Sequence, residues 1–289
     1  MIIILQLLLD GLLYGLLYAL AASGLSLLYG VLEVVNFAHG EFIMLGAYML
    51  FFFSSILGGT LVGIICALVM MALFGFVLNR AIFMPSVKIS WKAPLLVTLG
   101  LSLTLKNTVL LLFGAKQRFI PSILTEMVID VGAVRANALY LSVLGIVPAV
   151  FIFLHFFVSR TKTGKAMRAV SQNRELCDVL GMNTIKVFDI TVAISLILAG
   201  IAGSFYGLNF VASPNMGTLL GLKVFSIVVL SGFKSVKGAI IVALMAGIIE
   251  ALVAGYITAN LKDLTVFVAA AIVAAVKPEG LFGKKAGLW

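Results

Sequence analysis

The fold class predicted by this sequence is all-α: a polytopic integral membrane protein of eight or nine transmembrane helices with a broken or re-entrant segment, organised as one transmembrane domain over 1–289. Three observations carry that prediction. Of the 289 residues, 63% are hydrophobic and only 11% are charged, against roughly 45–50% apolar and about 25% charged in soluble domains. The apolar runs have helical length and lack the short alternating segments of an outer-membrane barrel. Basic residues gather between the runs. In a soluble chain a net charge of +9 would point to nucleic acid. Here the retention of Lys and Arg on the cytoplasmic side explains it, and no nucleic-acid partner is expected.

The elements follow in order. Residues 2–29 are apolar except for Gln6 and Asp10. They read as a first span with its core at 11–29, not as a cleavable leader, because no basic stretch precedes them. Gly11 and Gly15 form a small-xxx-small pair that admits a close neighbour. Residues 30–42, GVLEVVNFAHGEF, hold Glu33, Asn36, His39 and Glu41. They are either an interfacial loop or a broken buried segment whose backbone must be satisfied by protein. Spans are expected at 43–57, unless it starts earlier, and at 61–78. A basic cytoplasmic loop at 79–92 carries Arg80, Lys88 and Lys92, and a fourth span runs from Pro94 to about Phe113. Residues 114–137 have nearly balanced charge and read as an outer loop. A fifth span follows at 138–158, with Pro148 inside it and His155 near its inner end.

Residues 160–186 are the longest polar interruption. They carry Arg160, Lys162, Lys165, Arg168, Arg174 and Lys186 against Glu175 and Asp178, so they are placed in the cytoplasm. Two short helices are expected within them, over 165–169 and 174–180, the second capped by Asn173 and stopped by Gly181. Met167, Val170, Cys177 and Leu180 would form an apolar stripe backed by charge. Such a stripe suits a groove on a soluble partner or lipid headgroups. A sixth span at 187–211 holds Gly200, Gly203 and Gly207, and 212–218 form an outer turn. Runs at 219–230, 238–255 and 264–276 complete the chain, the first and last being short. Lys277, Lys284 and Lys285 place the C-terminus inside.

The sequence shows no phosphate-cradling loop, no HExxH and no paired-cysteine metal pattern. No catalytic, metal-binding or cofactor-binding residue is therefore assigned. An enzyme built into the bilayer would need His39, Glu41 and His155 to converge. Cys66 lies in a span and Cys177 in the basic loop, so no disulfide is expected. Charged and amide groups within spans are costly and usually face the bundle interior or a path. Here they are Lys106, Asn107, Asp189, Lys223 and Glu250, with Asn209 near the outer end of its span. Glu250 either pairs with Lys106 or Lys223 as a structural ion pair or lines the path. Asp189 and Lys223 lie near span ends and could snorkel. Asn36, His39 and Glu41 are candidates for path lining or gating, or for loop hydrogen bonding.

The stretch SLLYGVLEVVNFAHGEFIMLGAYM at 26–49 resembles the signature region of bacterial permeases of high-affinity branched-chain amino acid ABC importers, most closely the H-type permease. TGKAMRAVSQNRELCDVLGMNTIKV at 163–187, AGIAGSFYG at 199–207, the stretch at 221–252 and PEGLFG at 278–283 match in pattern. The resemblance implies one half of a heterodimer of homologous permeases in the bacterial cytoplasmic (inner) membrane. It further implies two cytoplasmic ATPase subunits that use the ATP, and an extracytoplasmic solute-binding protein that delivers leucine, isoleucine or valine. No cofactor is bound by this chain itself. The coupling segment would be 164–181, with Gly164, Lys165, Met167, Arg168, Arg174, Leu180 and Gly181, and the polar signature falls on Asn36, His39, Gly40 and Glu41. The chain departs from the pattern in having Ser231, Lys234 and Lys237 at a turn where glycine and proline are usual, and NRAIFMPSVK in an earlier loop. Urea, short-chain amides or other amino acids are alternative substrates, and a self-contained channel or carrier is a further alternative.

Overall fold

A computed structural model describes residues 2–90, 92–131 and 134–283. All nine apolar runs are helical. The helices are α1 (Ile2–Leu32), α2 (His39–Leu57), α3 (Thr60–Leu78), α4 (Met84–Ile89), α5 (Ala93–Phe113), α6 (Ile123–Glu126), α7 (Ala138–Arg160), α8 (Lys162–Gln172), α9 (Arg174–Val179), α10 (Thr184–Asn209), α11 (Met216–Ser231), α12 (Val236–Tyr256) and α13 (Lys262–Val276). A single antiparallel ladder, β1 (Val128–Val131) with β2 (Val134–Asn137), interrupts them among the described residues. The chain is an all-α polytopic membrane protein. Among the described residues, seven helices are long and apolar enough to cross a membrane. The other two apolar runs are α11, of 16 residues, and α13, of 15, shorter than the roughly 20 residues of an ordinary span. Lys284 and Lys285 lie outside the described residues.

Glycine lets the central helices touch backbone to backbone. Gly11 and Gly15 of α1 meet α12 at Gly247, where an added methyl would lie 2.5 Å from the Gly15 Cα. On α10, a methyl at Gly203 would lie 2.8 Å from the Ile43 carbonyl carbon of α2. In a bilayer such packing, and not water exclusion, holds helices together. The paired helices α1–α12, α1–α10 and α2–α10 build the centre. The outward faces of α3, α5 and α7 carry exposed apolar residues such as Leu61, Leu103 and Phe153.

The basic loop expected at 79–92 is instead helix as far as Ile89. A π-helical turn at Asn79–Phe83 joins α3 to α4. Pro85 cannot donate to the Ala81 carbonyl and its ring crowds that position, and a π-turn is a common way to absorb such a defect. The turn aims Asn79 and Arg80 at Asp189 of α10. Asn79 Nδ2 donates to Oδ1 at 2.7 Å, and Arg80 Nη2 and Nε donate to Oδ2 at 2.9 and 3.2 Å. Asp189 is therefore a buried, fully engaged carboxylate, and the snorkelling expected from its position near a span end is overturned. Asp189→Ala is expected to cost about 3 kcal/mol, as the loss of hydrogen bonds to a charged group. A melting curve of the purified protein measures it, and an unchanged midpoint would contradict the assignment.

Loops expected on one side do meet. Arg118 N donates to Ala212 O at 2.8 Å and Ala212 N to Arg118 O at 3.0 Å, joining the loop after α5 to the loop after α10. At the opposite end Lys234 pairs with Glu33. The 278–283 segment docks beside them, with Leu281 N donating to Leu230 O at 2.8 Å.

Candidate functional site

Of the two expectations for 30–42, the fold adopts the broken, buried segment. Helix α1 ends at Leu32, and Glu33 follows with φ +57°, a left-handed conformation uncommon for a residue with a side chain. Residues 33–36 have no regular structure and 37–38 turn. The chain then climbs back alongside α1. At the start of α2, His39 Nε2 lies 2.9 Å from the Ala21 carbonyl oxygen, a level about 16 Å back from Leu32 at 1.5 Å per helical residue. The second span therefore starts at His39, before residue 43, and its N-terminus lies deep in the bundle.

A break at this depth needs its backbone satisfied by protein. Thr98 of α5 does much of this: Phe37 N donates to Thr98 Oγ1 at 3.3 Å, and Thr98 Oγ1 lies 3.3 Å from Val35 O. Asn36 Oδ1 accepts from Ala38 N at 3.1 Å.

Helix α11 also begins inside the bundle, and its N-terminus meets that of α2. A methyl at Gly40 would lie 2.5 Å from the Gly221 Cα and would overlap the Gly217 carbonyl oxygen. This crossing closes a cavity of about 140 Å³ lined by Asn36, His39, Glu41, Ser102, Thr218 and apolar groups including Leu99, Leu222 and Phe225. Glu41 Oε1 accepts from Thr218 Oγ1 at 3.2 Å and Ser102 Oγ at 3.4 Å. Glu41 Oε2, Asn36 Nδ2 and His39 Nδ1 are buried and meet no partner among the described residues. Asn36, His39 and Glu41 are thus brought together.

Below the cavity, a wider groove of about 680 Å³ runs between the end of α1, the re-entrant strand, the α4–α5 junction and α8–α9. Val34, Val35, Pro94 and Leu95 line the groove, and Asn36, Leu99 and Ser102 line the cavity. One face of α5 and one strand therefore serve both. The spacing Thr98, Ser102, Lys106 is a stripe at four-residue intervals on an apolar helix, a signal the sequence carried and the span-by-span reading passed over.

The 160–186 segment forms α8 and α9 where two short helices were expected. Asn173 Oδ1 caps α9, accepting from Leu176 N at 2.9 Å, and Gly181 has φ +77°. Gly164 lets α8 fold onto the end of α7, since a methyl there would lie 2.5 Å from the Val158 Cα. Met167, Val170 and Cys177 are buried. Leu180 does not join them, being 71% exposed beside Val179 at 82%. Leu180 follows the last helical residue and caps α9, so it leaves the helical register of Cys177, and the expected stripe splits into an inner anchor and an outer apolar tip. Arg168 donates to the Val158 carbonyl and Arg174 sits 4.8 Å above the Phe188 ring. These two cations hold the segment to the bundle, while Lys165 is exposed.

Glu250 is not part of the Glu41 cavity. It forms a buried network with Lys223, whose Nζ lies 3.0 Å from Glu250 Oε1, 2.7 Å from Asp263 Oδ1 and 3.1 Å from Tyr18 Oη. The Lys223–Glu250 pairing anticipated from sequence exists, and Lys223 does not snorkel. Lys106 is no partner of Glu250: its Nζ reaches Thr218 Oγ1 at 3.5 Å, beside Glu41. Asp263 and Tyr18 were missed because neither lies in sequence near the groups it contacts. His155 packs edge-on against Phe156. Among the described residues no three His, Cys, Asp or Glu side chains form a group able to hold a metal ion.

Known proteins resemble this chain along most of its length. The family model described as branched-chain amino acid transport system / permease component matches residues 7–276. The high-affinity branched-chain amino acid transport system permease protein BraD of Pseudomonas aeruginosa is 30% identical over 97% of this chain and 96% of its own length. LivH of Escherichia coli, a permease of the same description, is 30% identical over the same shares. A probable LivH of Methanocaldococcus jannaschii is 25% identical over 87% and 82%. The solved structure of PsaBC from Streptococcus pneumoniae in complex with Fab shares the fold at a TM-score of 0.52 and 14% identity, over 93% of this chain and 91% of that one. With a family model spanning nearly all of its helices, the chain belongs to the permease components of branched-chain amino acid transport systems.

Proposed function

We propose that the chain is the transmembrane permease subunit of an ATP-driven importer of leucine, isoleucine and valine, delivered by an extracytoplasmic binding protein. The observation that carries the reading is the stacked cavity and groove along the re-entrant strand and α5. Together they mark a track from the middle of the bundle to the α8–α9 end. The walls are mostly apolar with a few polar groups, as suits a small zwitterion with an aliphatic side chain. A second, homologous permease covers the exposed face of α5. Two cytoplasmic ATPases provide the energy. The positive-inside bias puts 160–186 and the C-terminal Lys277 in the cytoplasm.

The ATPase contact is the tip formed by Leu176, Val179 and Leu180, and α8–α9 transmits ATPase motion through the anchored side of the segment. Transport then requires two packings of the bundle whose balance nucleotide and binding protein shift. Leu180→Glu should leave folding unchanged within about 0.5 kcal/mol, as an exposed substitution does. It should weaken ATPase docking by about thirtyfold, the size of an interface anchor's loss. Copurification of the ATPase with a stable Leu180→Glu variant at wild-type yield would remove this surface from the interface.

The direct test is the reconstituted complex in proteoliposomes, with ATPase rate and uptake measured for leucine, isoleucine, valine and urea. Stimulation by leucine-loaded binding protein with matching uptake is expected. Response to urea alone would keep the architecture and replace the substrate. Flux through this chain alone would replace the importer with a channel or carrier.

A further inference from the structure

Four features of the cavity between α2, α5 and α11 point to a particular ligand chemistry. Glu41 presents a carboxylate whose Oε1 is held by Ser102 and Thr218 while Oε2 is buried without a partner among the described residues. Asn36 offers an equally unpartnered donor, Nδ2. His39 Nε2 faces the Ala21 carbonyl, so that nitrogen carries the hydrogen, and the neutral ring leaves Nδ1 as an acceptor. Leu99, Leu222 and Phe225 supply an apolar wall. Buried polar atoms are nearly always satisfied, and three unmatched ones on residues that line one cavity mark a place where something polar binds. The size agrees: a cavity of ~150 Å³ accommodates a molecule the size of benzene, and this one measures about 140 Å³.

We infer that Glu41 is a specificity-determining residue: its carboxylate receives the ammonium group of a transported α-amino acid, with Asn36 Nδ2 donating to the ligand carboxylate and Leu99, Leu222 and Phe225 holding the aliphatic side chain. The inference rests on the permease reading above and adds the residue that recognises the charge. An ammonium donates up to three hydrogen bonds and finds acceptors in Glu41 Oε2 and His39 Nδ1. An uncharged amide or urea would leave Glu41 Oε2 without a charged donor, because the nearby Lys106 Nζ reaches Thr218 Oγ1 instead. Glu41 therefore selects cationic nitrogen inside the membrane, apart from any selection by the binding protein.

The test uses the complete complex in proteoliposomes. Glu41→Gln is expected to lower leucine uptake by at least ~tenfold, the value of one hydrogen bond to a charged group. Glu41→Asp should recover part of the uptake. A second measurement does not depend on Glu41 variants folding. A cysteine placed by Ser102→Cys, read above the Cys66 and Cys177 background, should react faster with a cationic thiosulfonate reagent than with an anionic one, and leucine under turnover should protect it. Uptake by Glu41→Gln within twofold of the parent overturns the inference. So does equal reactivity of Ser102→Cys towards both reagents. A cationic preference at Ser102→Cys in a complex that shows no uptake of any amino acid would support the charge selection and sink the importer reading instead.

Discussion

Lys223→Met is expected to destabilise the protein by about 3–5 kcal/mol, the usual consequence of removing one partner from a buried ion pair. Lys223 Nζ lies between Glu250 and Asp263, at 3.0 and 2.7 Å, and Tyr18 Oη donates to Glu250 Oε2 at 2.9 Å. Without the ammonium, Glu250 remains almost fully enclosed with only the tyrosine to meet it. Asp263 suffers less because its side chain is 31% exposed. The double variant Lys223→Met/Glu250→Gln should recover more than half of the loss, because a neutral amide can still accept from Tyr18 and carries no unpaired charge. Thermal melts of the parent and the two variants in nanodiscs decide it. A single Lys223→Met that melts with the parent would show that the charges are hydrated, and the network would then belong to a water-filled path. Transport by the double variant at near-parental rate would confirm that the network is structural.

Gly40→Val should prevent the α2–α11 junction from forming. Overpacking ordinarily costs about 1–3 kcal/mol because side chains can yield. At Gly40 the obstacles are backbone: the Gly217 carbonyl and the Gly221 Cα at 2.5 Å from an added methyl. Even Gly40→Ala is expected to cost at least ~3 kcal/mol, and the branched residue should abolish recovery of monodisperse protein. Gly100 on α5 is the control. Nothing lies within 4 Å of a methyl placed there, so Gly100→Ala should be neutral or stabilising by up to about 1 kcal/mol through helix propensity. Size-exclusion profiles of the detergent-solubilised variants give the comparison. Equal recovery of Gly40→Val and Gly100→Ala would mean that the junction is loose enough to rearrange, and the cavity at Glu41 would lose its basis.

Much of the molecule was legible along the chain because a bilayer imposes one-dimensional rules. Helix lengths follow from hydrocarbon thickness, and all nine apolar runs are helices. Close approach at Gly11, Gly15, Gly200, Gly203 and Gly207 could be read from small residues at helical spacing. The caps at Asn173 and Gly181 are local chemistry, and local chemistry survives folding. So did the polar density of Asn36, His39 and Glu41, which is intolerable in lipid and had to be covered by protein.

Contacts between distant segments were decided only by the tertiary structure. Hydropathy could not say whether Glu250 meets Lys106 or Lys223, since both are cations in apolar helices. The choice rests on which face of α11 turns towards α12. Nor could it show that Arg80 belongs to Asp189 and not to a loop, because the π-turn upstream of Pro85 alters the helical phase by which side chains are placed. The cavity at Glu41 needs three glycines from two helices, a threonine from α11 and a serine from α5 to arrive at one point. Sequence determined that these residues had to be inside the protein; packing in three dimensions determined which of them face one another, because helix rotation and depth are set by neighbouring surfaces and leave no periodic signature in the chain.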